Sequence, residues 1–198
     1  MSNQQGPGES PSGQHESPSG RNKSLDRGGE DLQSRQVVFH PIGVIRTPYQ
    51  DMAPYQPQEG DAAPGRFRLV VDETYQEGLA DLDGFTYIYV LYHLNRVSGS
   101  PHMRATPPWA GGRTVGLFSS RSPNRPNRLG LSVVRLLGIV GNVVTTTGLD
   151  VLDGTPLLDI KPYVAELDSK VDANYGWIDE VDGRDHLLLH IRGVPHDH

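Results

Sequence analysis

Phe85-Thr86-Tyr87-Ile88-Tyr89-Val90-Leu91-Tyr92 is the run on which the fold turns. Aromatic and β-branched side chains fill it, and neither Gly nor Pro interrupts it. Such a composition over such a length predicts a buried β-strand. Toward the N-terminus, residues 72–82 (DETYQEGLADL) predict a short helical or turn segment, and Phe67-Arg68-Leu69-Val70-Val71 a second strand. Residues 46–65 hold Pro48, Pro54, Pro57, Gly60 and Pro64 and predict a long irregular loop. Before them, Val37-Val38-Phe39 through Ile42-Gly43-Val44-Ile45 predicts the first strand, with Pro41 at an edge or bulge.

Toward the C-terminus, residues 97–113 form another loop by their Pro and Gly content, and Val115-Gly116-Leu117-Phe118 predicts a strand. Residues 129–140 (LGLSVVRLLGIV) read as a strand with a bulge or as a poor helix, and Val133 and Val134 favour the strand. Further strands are expected at 143–149, at 157–160 and, as an edge, within HLLLHIRG at 186–193. Six to eight short strands with only short helical pieces make a mainly β domain. The expected architecture is a small closed or nearly closed antiparallel β-barrel with long loops, because closure removes exposed edges. A doubly wound α/β fold needs strands alternating with longer helices, which are missing.

Residues 1–35 are Gly, Ser, Pro, Gln and charge, with Leu25 and Leu32 as the sizeable apolar side chains. Such a segment buries too little to repay its ordering entropy, so a disordered tail is expected. One domain over 36–170 and an extension over 171–198 complete the division. No stretch of about eighteen apolar residues exists, which argues against a membrane span, and the start has no secretory pattern. Cysteine is absent. That excludes disulfides, thiolate catalysis and cysteine-ligated metal, and it fits a cytoplasmic protein.

The net charge of -6 is unevenly spread. Residues 36–135 carry ten basic and eight acidic side chains, whereas 136–198 carry four and eleven. Residues 96–135 hold seven arginines and no acid: Arg96, Arg104, Arg113, Arg121, Arg125, Arg128 and Arg135. A local cationic surface can attract phosphate despite an acidic total, since screening limits distant charges to roughly 10 Å. The alternative is that these arginines pair with the acidic last third.

Two segments carry the candidate chemistry. In SSRSPNRPNRLG (119–130), Pro123 and Pro126 forbid a helix and stiffen a loop that presents three planar guanidinium groups. Guanidinium suits a phosphate or a carboxylate, and loop-stapling is the plainer use. In LDGTPLLDIKPY (152–163), Asp153-Gly154 marks a turn, while Asp159, Lys161 and Tyr163 alternate and would share one strand face. Such a row can hold a hydroxyl, an amine or a proton in transfer, or be a surface ion pair worth little. The histidines, His93 at the end of the strongest strand among them, form no metal-ligand pattern, and no metal is expected. No nucleophile elbow or phosphate-binding glycine loop is present.

With VIRTPY at 44–49, GLFSSRSPNRPNRLG at 116–130 and DGTPLLDIKPY at 153–163, in that order, the chain resembles the TrmO family, also called TsaA-like or YaeB-like. The resemblance implies a small β-barrel, a homodimer, and S-adenosylmethionine bound near the subunit interface. It also implies N6-methylation of threonylcarbamoyladenosine at position 37 of tRNA. Carried over by position, Arg121, Arg125, Asn127, Asp153, Gly154, Thr155 and Pro156 are expected at the cofactor. Arg46, Tyr49, Arg128 and His93 are expected at the substrate, and Asp159, Tyr163 and Lys161 at the proton transfer. Two positions depart from the family pattern: Asn124 replaces an aromatic and Arg128 a proline. The additional C-terminal domain of some members is not expected in the 28 residues after 170. These departures keep two alternatives open: a methyltransferase for a small metabolite or another RNA, and a non-catalytic module that binds S-adenosylmethionine or RNA.

Overall fold

The computed structural model describes residues 36–54 and 65–181, together with Asp185 and Leu189. Met1–Val38 and Phe39–His198 are separate units, and every element below belongs to the second. The tail expected to be disordered lies outside the described residues, as does the expected strand at 186–193 apart from Leu189, which is helical rather than extended.

Eight strands lie among the described residues: β1 (Gly43–Arg46), β2 (Phe67–Val71), β3 (Tyr87–His93), β4 (Arg104–Ala105), β5 (Val115–Gly116), β6 (Leu129–Val140), β7 (Val143–Thr146) and β8 (Thr155–Pro162). One helical turn, α1 (Ala165–Asp168), follows them. Six strands form an antiparallel sheet in the order β1-β2-β7-β6-β3-β8, and β8 pairs in turn with β1 through Gly43 opposite Leu157. Each of these strands therefore has a partner on both sides. β4 and β5 pair separately. No helix among the described residues is long and apolar enough to cross a membrane.

Alternation within β3 sorts its side chains cleanly. Ile88, Val90 and Tyr92 are buried, while Tyr87, Tyr89, Leu91 and His93 are half-buried on the outer face. β6 continues the pattern: Gly130, Ser132 and Val134 point in, and Leu129, Leu131, Val133 and Arg135 point out. The core gathers Ile45, Phe67, Leu69, Val71, Ile88, Val90, Val144 and Leu157. Truncating a side chain as enclosed as Phe67 to Ala removes about 3–5 kcal/mol.

Two bulges tune the sheet. The β6–β7 register passes from Leu136↔Thr146 to Gly138↔Thr145, so Leu137 is extra and the strand-with-bulge reading holds. The β3–β8 register passes from Leu91↔Asp159 to Tyr92↔Leu157, so Leu158 is extra. Beyond that bulge Ile160 packs on the core, and Asp159 and Lys161 face outward.

Four expected strands are shorter than their apolar runs, and the run at 85–92 enters its ladder only at Tyr87. The first begins at Gly43, after Pro41, which has no N–H to give to a ladder. The run at 115–118 leaves the strand at Gly116 for a 3-10 turn over Leu117–Ser119, which buries Leu117 and exposes Phe118. The run at 143–149 stops at Thr146. The segment at 72–82 is 3-10 helical over Glu73–Leu79, as the sequence suggests.

Candidate functional site

The opening motif and the Asp-Gly-Thr-Pro turn are tied into one knot. The Asp153 carboxylate accepts the Thr47 backbone N–H at 3.1 Å and pairs with Arg46 at 3.2 Å. Asp153 N donates to Tyr49 O at 2.7 Å, and Gly154 N to Ile45 O at 2.9 Å. Gly154 turns the chain at φ 79, where a side chain would be strained. The buried Thr155 hydroxyl donates to Leu152 O at 2.7 Å. Arg96 closes the knot by donating to Gln50 O at 2.6 Å and Asp153 O at 2.9 Å. Arg46 and Asp153 thus carry structural bonds first, and the half-exposed ion pair itself contributes at most about 1 kcal/mol.

Most of the arginine-rich segment is committed in the same way. Arg104 donates to Thr114 O, Arg125 to Ser120 O, Arg128 to Gly99 O and Arg135 to the Tyr87 hydroxyl. Arg113 pairs with Glu180 at 2.8 Å, the contact with the acidic last third that the charge distribution suggests. Arg121 alone of the seven has no hydrogen bond among the described residues. Pro126 and Asn127 stay exposed on the same loop. Nearby, Asn124 Oδ1 is buried and lacks a partner among the described residues. Arg121, Asn124, His102, Arg104 and Trp109 line one cavity of about 350 Å³.

A second cavity, about 330 Å³, lies where the loop at 119–128 meets the turn at 150–155. Pro123 comes from the first, Asp150, Val151, Leu152 and Thr155 from the second, and Tyr92, Leu94 and Arg96 from the end of β3 and beyond. On its wall Tyr92 Oη stands 3.0 Å from Ser132 Oγ and 3.5 Å from Asp150 Oδ1, and Ser132 Oγ donates to the same Oδ1 at 3.4 Å. Burial pushes the Asp150 carboxyl above its ordinary value, opposed by its own backbone N–H, by the Ser132 and Tyr92 hydrogen bonds and by the Arg121 charge. Burial also lifts the Tyr92 phenol well above its usual range, with the Asp150 charge adding to the effect. Sequence reasoning missed this trio. Tyr92 reads as core, Ser132 as a strand residue, and the one available signal is a carboxylate three residues before the Asp-Gly turn.

The Asp159, Lys161 and Tyr163 row sits elsewhere. Asp159 and Lys161 pair at 2.7 Å on the outer face, and Tyr163 packs beside Tyr89 and Tyr87 with ring centroids 5.6 and 6.3 Å away. Asp159 borders a third hollow, with Tyr75, Leu79, Phe85 and Ile160. From Thr155 to Lys161 the strand advances about 20 Å, so one chain does not bring the row to the cavity beside Thr155. His93 ends β3 opposite Leu129, half-buried. No cluster of three or more His, Cys, Asp or Glu suited to a metal lies among the described residues.

Comparison with known proteins gives a consistent set of likenesses. The family model described as the tRNA-methyltransferase O N-terminal domain matches residues 44–169. An S-adenosyl-L-methionine-binding protein of Archaeoglobus fulgidus is 37% identical over 136 residues, which is 67% of this chain and 93% of that protein. The tRNA (adenine(37)-N6)-methyltransferase of Escherichia coli is 35% identical over 144 residues, 69% of this chain and 61% of the enzyme. The crystal structure of TrmO from Pseudomonas aeruginosa superposes with a TM-score of 0.58 at 32% identity, over 72% of this chain and 62% of the other. The matched region thus spans less than two thirds of either of these last two proteins.

Proposed function

The chain belongs to the family of the tRNA-methyltransferase O N-terminal domain, and from that premise we propose that it is an S-adenosylmethionine-dependent methyltransferase acting on N6 of threonylcarbamoyladenosine 37 of tRNA. The observation that carries the reading is the meeting of the two motif loops around one cavity. Its walls are mostly apolar and include one carboxylate, the combination that suits a nucleoside with hydroxyl or ammonium donors. Thr155 and the backbone around Asp153, Gly154 and Pro156 hold one side of the cofactor in this reading, and Pro123 the other. Arg121, whose guanidinium makes no hydrogen bond among the described residues, takes the carboxylate of the methionine tail, with Arg125 and Asn127 beside it.

When bound, S-adenosylmethionine supplies a methyl group on a sulfonium, which needs little leaving-group assistance. The acceptor N6 is conjugated to the purine and must shed a proton. Asp159 and Tyr163 are the groups assigned to take it, and the Lys161 ammonium orients Asp159. Arg46, Tyr49, Arg128 and His93 border the substrate side.

Because the row and the cavity lie apart within one chain, the reading includes a homodimer. A second copy then brings its own row to the cavity. The outer face of β3 and β6 supports this pairing: Leu131 and Val133 remain 56% and 45% exposed, with Leu129 beside them. The closed sequence of strand pairings is read as a small barrel, the rigid frame that holds the loops. The protein works in the cytoplasm, with its tRNA substrate.

Incubation with labelled donor and total tRNA, followed by nucleoside mass spectrometry, tests the activity. Label is expected in N6-methylated threonylcarbamoyladenosine, and its absence from adenosine derivatives would favour a metabolite or another RNA as acceptor. Asp159→Asn and Tyr163→Phe are expected to lower turnover by about a hundredfold or more while cofactor binding persists. Normal turnover in both would remove the proton-accepting role.

A further inference from the structure

Between β3 and β6 the chain makes an excursion that closes one wall of the cavity of about 350 Å³. β4 and β5 form its stem, pairing Arg104 with Gly116 and Ala105 with Val115. Its tip, Trp109 to Arg113, is gripped by the 3-10 turn at Gly176–Glu180.

Trp177 of that turn stacks on Trp109 with ring centroids 5.4 Å apart and planes 4° from parallel. Three contacts fix it there. Its Nε1–H donates to Ser119 O at 2.7 Å, and its backbone carbonyl accepts from Arg113 at 3.4 Å. The Arg113 guanidinium lies 5.6 Å from its ring centroid while pairing with Glu180. One indole covers one face of another, and it is Trp109, not Trp177, that lines the cavity. Trp109 is therefore a rigid aromatic platform, with the surface that Trp177 leaves free available to a ligand.

The rest of the wall is cationic and short of one donor. Arg104 spends one of its five N–H groups on Thr114 O, and His102 stands exposed beside it. No acidic side chain among the described residues lines the cavity. Asn124 Oδ1 is buried there without a partner among them. The neighbouring hydroxyls are engaged elsewhere. Thr106 meets the Thr114 hydroxyl at 2.8 Å, Ser120 donates to Leu117 O at 2.8 Å, and Ser122 Oγ accepts the Asn124 backbone N–H at 3.4 Å. A buried acceptor left open costs stability until a donor arrives. A phosphate alone brings none. A nucleotide brings amino or ring N–H donors, a π face and a phosphate on one unit.

We propose that this cavity is a subsite for one unpaired nucleotide of the RNA acceptor. Its base stacks on Trp109 and donates to Asn124 Oδ1, and its phosphate faces Arg104 and His102. The inference rests on the acceptor reading above. It is separate from the cofactor, which that reading places in the cavity of about 330 Å³ with Arg121 at the methionine tail.

Fluorescence anisotropy of the full chain with a labelled tRNA carrying adenosine at position 37 tests it, beside calorimetric titration with S-adenosylmethionine. Trp109→Ala is expected to weaken tRNA binding by about tenfold and to leave S-adenosylmethionine affinity unchanged. Trp109→Phe, which keeps a π face, is expected to restore most of the loss, and a loss as deep as that of the Ala variant overturns the stacking. If circular dichroism shows that Trp109→Ala does not fold, Asn124→Leu decides in its place. It keeps the volume and removes the acceptor, with an expected loss of about fivefold. A parallel loss of S-adenosylmethionine affinity in the deciding variant assigns the cavity to the cofactor and overturns the subsite. Unchanged tRNA affinity in that variant also overturns it and leaves the acceptor reading standing. No saturable tRNA binding by the unaltered protein overturns both.

Discussion

A single missing methyl at Gly130 decides where the Tyr92 ring can lie. Gly130→Ala drives a Cβ into a ring that is 4% exposed and cannot swing into solvent without opening the core. The expected cost is about 1–3 kcal/mol in urea denaturation. Asp150 behaves in the opposite sense. Its folded value lies above the ordinary 3.8 because burial penalises the charge, so its contribution to stability is present below that ordinary value and is lost as pH rises through the raised one. Asp150→Asn should therefore unfold at a higher temperature than the parent at pH 7, with the gap closing as pH falls below 3.8. A lower melting temperature for the variant at pH 7 would contradict this. The motif residues were legible one by one, but their roles were less so. Nothing in the spacing of Arg125 and Arg128 reveals that each spends its guanidinium on a carbonyl of a nearby loop. Arg128 does so at φ 49, a conformation closed to the proline usual in the family.

Among the elements, β3 was readable because the run at 85–92 is almost wholly aromatic and β-branched, and burial alternates without interruption from Tyr87 to His93. β6 was readable with its bulge for the same reason. The apolar run at 115–118 misled because hydrophobicity alone cannot separate a strand from a tight turn that buries one residue in two. The pair β4 and β5 is two residues long on each side, below what any sequence pattern resolves. The bulge at Leu158 had no local signal either, yet it fixes the outward placement of Asp159 and Lys161. The exposed leucine and valine row on β6 leads to a test of assembly. In the proposed dimer, Leu131→Lys is expected to shift the mass to that of a monomer in sedimentation equilibrium, because it inserts a desolvated charge into an apolar contact. An unchanged dimer mass would move the interface elsewhere.

At the scale of the whole molecule, the acidic total conceals a division of labour. The negative charge is concentrated from residue 136 onward, while Arg96, Arg104, Arg125 and Arg128 are held against the loops they stiffen. β8 is the piece that joins the frame. It pairs with β1 on one side and β3 on the other, and its first residues belong to the knot around Asp153. A protein shortened to end at Asp153 should accordingly show no cooperative thermal transition, whereas a single cooperative step in calorimetry would show that the remaining strands suffice.

The same placement has a consequence for biosynthesis. On the ribosome β1 emerges more than a hundred residues before the partner that covers its far side. Until Pro162 has cleared the exit tunnel, the nascent chain carries two uncovered ladders of amide and carbonyl groups, on β1 and on β3. That interval is when a chaperone would find it, and when codons slow to translate before β8 would do the most harm.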